Sequence, residues 1–187
     1  MEQRFTSRGR DAHGFTLIEL LVTVAVIAVL ATLAVPSFNQ LIVSNALTTA
    51  ANDLVGALNL ARMEAIKLNT GAQLCSNTAS SNGSDTLGAA CGTNSAAVYM
   101  LQGTTTTQVR AAAMGIQNQV RLANAGITAV RFGGEGLGYQ ATDTTRAPYG
   151  GTVAVLCSKA IGANNVRTVT MATGSIIAVA TSTGTCP

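Results

Sequence analysis

Few side chains in this 187-residue chain have types and spacings that could do chemistry. The single histidine, His13, stands just ahead of a long apolar run. A chain trimmed before that run therefore has no imidazole for a Ser-His-Asp or Cys-His arrangement or for a metal site. Cys75, Cys91, Cys157 and Cys186 nowhere form a C-x-x-C. An even number of widely spaced thiols reads as two disulfides made in an oxidising compartment, rather than as a thiolate zinc site. Three connectivities are open. Sequence order is favoured, because Cys75–Cys91 would staple an irregular loop and Cys157–Cys186 would tie down the C-terminal tail. Chain entropy values those closures at about 3 and 3.5 kcal/mol. The glycines of Phe132-Gly-Gly-Glu-Gly-Leu-Gly-Tyr139 match neither phosphate-loop spacing, and no helical pattern follows them; they predict a hairpin turn. No catalytic residue, cofactor or metal is expected.

The remaining chemical oddity is Glu19, the one charge within residues 15–35. As a helix, that segment is roughly 31 Å long, enough to cross a bilayer's hydrocarbon core. Arg4, Arg8 and Arg10 precede it, and no charge follows Glu19 until Asp53, so the positive-inside rule keeps the N-terminus cytoplasmic and sends the rest outward. A cleaved secretory signal is the competing reading, with Thr32, Leu33 and Ala34 as a passable cleavage site. Against it stand the carboxylate, which costs about 2.5–3.5 kcal/mol in the apolar segment, and a helical pattern that runs on past Val35 with only Pro36 to interrupt it.

Gly14-Phe15-Thr16-Leu17-Ile18-Glu19-Leu20-Leu21 resembles the processing site and first turns of type IV pilins and type II secretion pseudopilins. The resemblance implies that prepilin peptidase cuts after Gly14, that Phe15 becomes the N-methylated terminus, and that Glu19 and Pro36 serve assembly, Pro36 at a helix bend. It further implies an inner-membrane, single-pass subunit with a periplasmic globular domain. That subunit contacts membrane lipid and an inner-membrane assembly platform, then joins other subunits in a pilus or pseudopilus. The physics agrees with this. A carboxylate in an apolar setting needs a partner, and the α-amino group of a neighbouring subunit's Phe15 can supply it.

These features require a helix followed by a domain. Leu47, Ala51, Leu54, Leu58, Ala61, Ala65 and Leu68 step by three and four, one apolar helical stripe. Residues 69–71 (Asn-Thr-Gly) end it, with Gly71 the candidate left-handed cap. Beyond lie short strands, at residues 72–75, 97–102, 108–114, 119–123, 127–132, 152–158, 166–172 and 175–181, with no second helix evident. Residues 76–95 read as a surface loop, and residues 104–107 as a polar loop or edge strand. The fold class is α+β, with antiparallel strands covering the helix stripe. The divisions are a leader at 1–14, a transmembrane helix at 15–36, an amphipathic helical half at 37–70 and a globular β domain at 71–187.

Leu54, Leu58, Leu60, Ala61, Arg62, Glu64 and Ala65, followed by an all-strand half, resemble the GspH/FimT group of minor pilins. That group implies an H-type pseudopilin or pilus subunit, or alternatively a FimT-like protein that binds DNA for uptake. The residues themselves speak less for nucleic acid. Net charge is +3. The Gly-Arg-x-Arg turn of the DNA-binding members corresponds here to Gly174-Ser175-Ile176-Ile177, without either arginine. A basic face would need Arg121, Arg131 and Arg167 to align.

Overall fold

The computed structural model describes residues 14–112 and 119–187, the side chains of 33–36 and 124–125 excepted. The leader and the end of the strand predicted over 108–114 lie outside the described residues, as does the side chain of Pro36, where a bend is expected. The chain forms two compact units, Met1–Asn39 and Gln40–Pro187. Helix α1, Leu17–Leu68, runs from the first into the second.

In the second unit α1 buries Val43, Leu47, Ala51, Leu54, Leu58, Ala61 and Ala65 on one face. The mixture of leucine and alanine lets strands approach the helix closely while still filling the space between. At its end the N–H of Thr70 bonds to the carbonyl of Ala65 at 3.0 Å and that of Asn69 to Ile66 at 3.2 Å, with Asn69 at φ 48. This is the Schellman arrangement. The left-handed position is taken by Asn69, not by Gly71 as the sequence suggested. Asparagine tolerates that conformation better than most side chains.

Two antiparallel sheets cover the helix. β1 (Ala72–Leu74), β2 (Val98–Gln102), β3 (Thr105–Arg110), β5 (Val130–Phe132) and β6 (Gly138–Gln140) form one, in the order β3-β2-β1-β5-β6. β4 (Arg121–Ile127), β7 (Gly151–Cys157), β8 (Val166–Ala172) and β9 (Ile176–Ser182) form the other, in the order β4-β7-β8-β9. Leu54 and Leu58 of the helix, Leu74 and Phe132 of the first sheet, and Leu156, Val169 and Met171 of the second share one core. The fold is α+β.

Three departures from the sequence reading have local causes. Residues 105–107 belong to the edge strand β3, so the strand begins earlier than the predicted 108. The strand predicted over 127–132 divides between β4 and β5, because Thr128 bonds to Val153 of the second sheet while Ala129 accepts from Ala141 beside the first. Residues 76–95 are not a surface loop. They hold a short 3-10 turn at Ala79–Asn82 and a second helix, α2, over Thr86–Cys91, which the sequence reading denied. Asp85 caps α2, its Oδ1 accepting from the Gly88 N–H at 3.0 Å. The segment wraps around the side chain of Asn82, which is fully buried. Its Nδ2 donates to the carbonyls of Ser76, Thr78 and Gly92, and its Oδ1 accepts from the Ser76 N–H at 2.7 Å.

Candidate functional site

In the first unit, Gly14 and Phe15 precede the helix, and Phe15 is 79% exposed. Thr16 starts it: its carbonyl accepts from Leu20 N–H at 3.1 Å and its Oγ1 accepts from Glu19 N–H at 3.3 Å. Thr16-x-x-Glu19 is thus half of a capping box, a signal the sequence reading passed over. The cap places Glu19 one turn into an exposed apolar segment in which Leu17, Ile18, Leu20, Leu21 and Val22 stand at 53–81% exposure. Thr23 and Thr32 return their hydroxyl protons to the carbonyls of Leu20 and Val29, so no polar hydrogen on them needs water. The helix is long and apolar enough to cross a membrane, with a window of mean hydropathy 2.6. Among the described residues, no ion pair engages Glu19.

In the second unit Cys75 bonds Cys91, with Cα atoms 5.4 Å apart, and Cys157 bonds Cys186, at 5.6 Å. The first fastens the end of β1 to the last residue of α2. The second fastens β7 to the C-terminal tail.

The three arginines considered for a basic face go three ways. Arg121 is exposed, reaching the carbonyl of Pro187 at 3.4 Å. Arg131 makes a two-pronged ion pair with Asp85, at 2.5 and 2.7 Å, and donates through Nε and a terminal nitrogen to Gln73 Oε1. This guanidinium beside Asp85, helped by the Gly88 N–H, holds the carboxyl below its ordinary range. Arg167 is 6% exposed. It donates to the carbonyls of Asn164 and Val166 at 2.7 and 3.1 Å, and to the hydroxyls of Ser44 and Thr48 on α1 at 3.2 and 3.4 Å. Opposite Leu156 in the ladder, while Arg121 stands opposite Cys157, Arg167 projects from the other face of its sheet. No shared cationic surface results.

A polar groove of about 560 Å³ lies between Ser84, Asp85, Arg131, Tyr139, Asp143 and Arg146. Arg146, at φ 55, sits over the Tyr139 ring at 5.7 Å. Asp143 accepts from the Thr145 hydroxyl, the Thr145 N–H and the Ala147 N–H, which pins this loop and holds its own carboxyl below the ordinary range. Sequence reasoning missed Gln73, Asn82 and Asp85, whose polar types gave no hint of burial or of partners far along the chain.

An apolar helix opening on a glycine-phenylalanine junction, continuing into a helix-on-sheet domain held by disulfides, defines a membrane-anchored pilin-type subunit. Residues 50–175 match the family model described as Type II transport protein GspH, and residues 9–35 match the prokaryotic N-terminal methylation motif. The chain belongs to the GspH family and is a minor pilin or pseudopilin processed by prepilin peptidase. The family is one of structural subunits rather than enzymes, and it assembles with other pilin-type subunits. No curated protein and no solved structure matches the chain.

Proposed function

We propose that the protein is an H-type minor subunit that, once cut after Gly14 and methylated on Phe15, enters the pseudopilus of a type II secretion system or the related pilus. It sits in the inner membrane with its N-terminus cytoplasmic and its second unit periplasmic, until the assembly platform moves it into the filament. Glu19 is the residue on which assembly turns. The observation that carries this reading is a carboxylate placed one turn into an exposed apolar helix, by a threonine cap that is the second residue of the mature chain. Leaving that charge unpaired in hydrocarbon costs a few kcal/mol. Pairing it with the methylated amine of a neighbouring subunit's Phe15 removes the cost only when subunits stand side by side. The same pairing sets their axial register.

Dispersal of Arg121, Arg131 and Arg167 supports this structural reading over DNA capture. Capture needs cations on one surface to track phosphates.

The test replaces Glu19 by Ala in the native host. Membrane insertion of the variant should equal or exceed that of the parent, its mature chain should start at Phe15 by intact mass, and its recovery in sheared filaments should fall at least several-fold. Undiminished recovery would defeat the charge pairing. A mature terminus near Val35 would defeat the pilin reading itself.

A further inference from the structure

The polar groove beside Arg131 has no part in assembly at Glu19. At about 560 Å³ it is the size of a small-molecule site. A second groove, of about 280 Å³ and walled by Asn69, Leu101, Gly134 and Glu135, shares Asp85, Arg131, Tyr139 and Arg146 with it, so the two join as one elongated trench. The glycine run after Phe132 keeps that trench open. A Cβ on Gly134 would collide with Asn69 Oδ1, and one on Gly133 with the Glu135 carboxylate; glycine there leaves both polar side chains room along the wall. In the larger groove two carboxylates, Asp85 and Asp143, stand against two guanidiniums, Arg131 and Arg146, so its formal charge cancels. Ser80, Ser84, Thr142 and Thr144 add exposed hydroxyls.

Arg146 adds an independent observation. It holds φ 55, a left-handed conformation easy for glycine and costly for arginine. Arg131 is occupied by Asp85 and Gln73, and Asp143 by donors of its own loop. Arg146, by contrast, has no ion pair among the described residues. Its place over the Tyr139 ring leaves the N–H groups around the guanidinium's edge free to donate. A strained residue kept where glycine would be easier signals a use for the side chain. The geometry points to a neutral oligosaccharide as the ligand of the trench. A wall without net charge draws in neither a phosphate chain nor an acidic peptide. Sugar hydroxyls both donate and accept, and this wall offers guanidinium donors, carboxylate acceptors and hydroxyls together, the charged ones making the stronger bonds. Leu101 gives the C–H face of a ring an apolar surface, and two adjoining grooves accommodate more than one ring.

The test uses the full-length protein in a detergent without a sugar headgroup, titrated with cellotetraose, maltotetraose and tetra-N-acetylchitotetraose and followed by saturation-transfer NMR. At least one of the three should bind with a Kd below about 1 mM. Arg146→Gly suits the backbone already present, so its thermal midpoint should equal or exceed the parent's. Its sugar binding should nevertheless weaken by about ten-fold, the loss of one charge-assisted contact. Thr144→Trp, which fills the larger groove from an exposed position and removes no charge, should weaken binding at least as much. Failure of all three sugars to bind, or undiminished binding in either variant, would overturn the inference. So would tighter binding of tetraglutamate or duplex DNA than of the sugars, which would make the trench a site for charged ligands.

Discussion

Replacing Arg167 by Met should lower stability by about 1–3 kcal/mol, although a buried cation lacking a carboxylate partner looks like a candidate for stabilising removal. Exchange of a buried ion pair for apolar groups is often neutral or better because both partners leave together. Here the partners stay behind. The carbonyls of Asn164 and Val166 accept from Arg167 at 2.7 and 3.1 Å and belong to the backbone, so no substitution removes them. The buried Val166 carbonyl, deprived of this donor, costs about 1–3 kcal/mol, whereas the carbonyl of the exposed Asn164 can turn to water. Ser44 and Thr48 lose weaker contacts, at 3.2 and 3.4 Å, and Thr48 keeps its own bond to the Ser44 carbonyl. For a chain of this size the loss lowers the thermal midpoint by roughly 3–9 °C. Near-ultraviolet circular dichroism of the detergent-solubilised protein measures it, with Arg167→Lys expected between parent and Arg167→Met, because one ammonium cannot span two carbonyls and two hydroxyls. A midpoint for Arg167→Met equal to or above the parent's would refute the assignment of this arginine as a structural tie between α1 and β8, and would reopen a role for it at a surface.

Removing Cys75 and Cys91 together, as alanines, should cost about 3 kcal/mol for a 16-residue closure, read as a lowered denaturant midpoint. Gly88→Ala should destabilise by about 1–3 kcal/mol, against the usual helix rule, because its Cβ would intrude on the carbonyl oxygens of Asn82 and Gly83; a stabilised variant would contradict the close packing of α2. Asp85 has a folded pKa below its ordinary value. Its contribution is present above the unfolded pKa and lost as pH falls through the lowered one, so Asp85→Asn should flatten the acid limb of a stability–pH curve below about pH 4. With the side chain 50% exposed, solvent screening keeps that contribution under about 1 kcal/mol. The whole protein in detergent should bind duplex DNA weakly and with a shallow salt slope; tight binding at physiological salt, lost on replacing the exposed Arg121, would promote DNA capture over the structural role.

How much of this could be read in advance follows from the range over which each feature is decided. The apolar helix, its buried stripe from Leu47 to Ala65 and most of the strands rest on periodicities within ten or twenty residues, and these were legible. So was the loop-and-tail stapling, because the cysteines bracket one irregular stretch and the C-terminus. α2 was not legible: it is six residues long, too short for a periodic pattern, and its cap Asp85 looks in sequence like any turn residue. β6 lay hidden inside a glycine run whose hairpin was expected but whose return strand has only three residues. The arginines mark the sharper limit. Arg131 and Arg167 are alike in type, and both flank apolar residues in strands. One meets a carboxylate 46 residues away, and the other meets helix hydroxyls 123 and 119 residues away. Sequence counts cations, but only sheet register decides which face each one takes, and a shift of one residue would exchange the faces. An arginine surplus is therefore evidence for a nucleic-acid surface only after the pairing is known, and here the pairing spends two of the three on the fold.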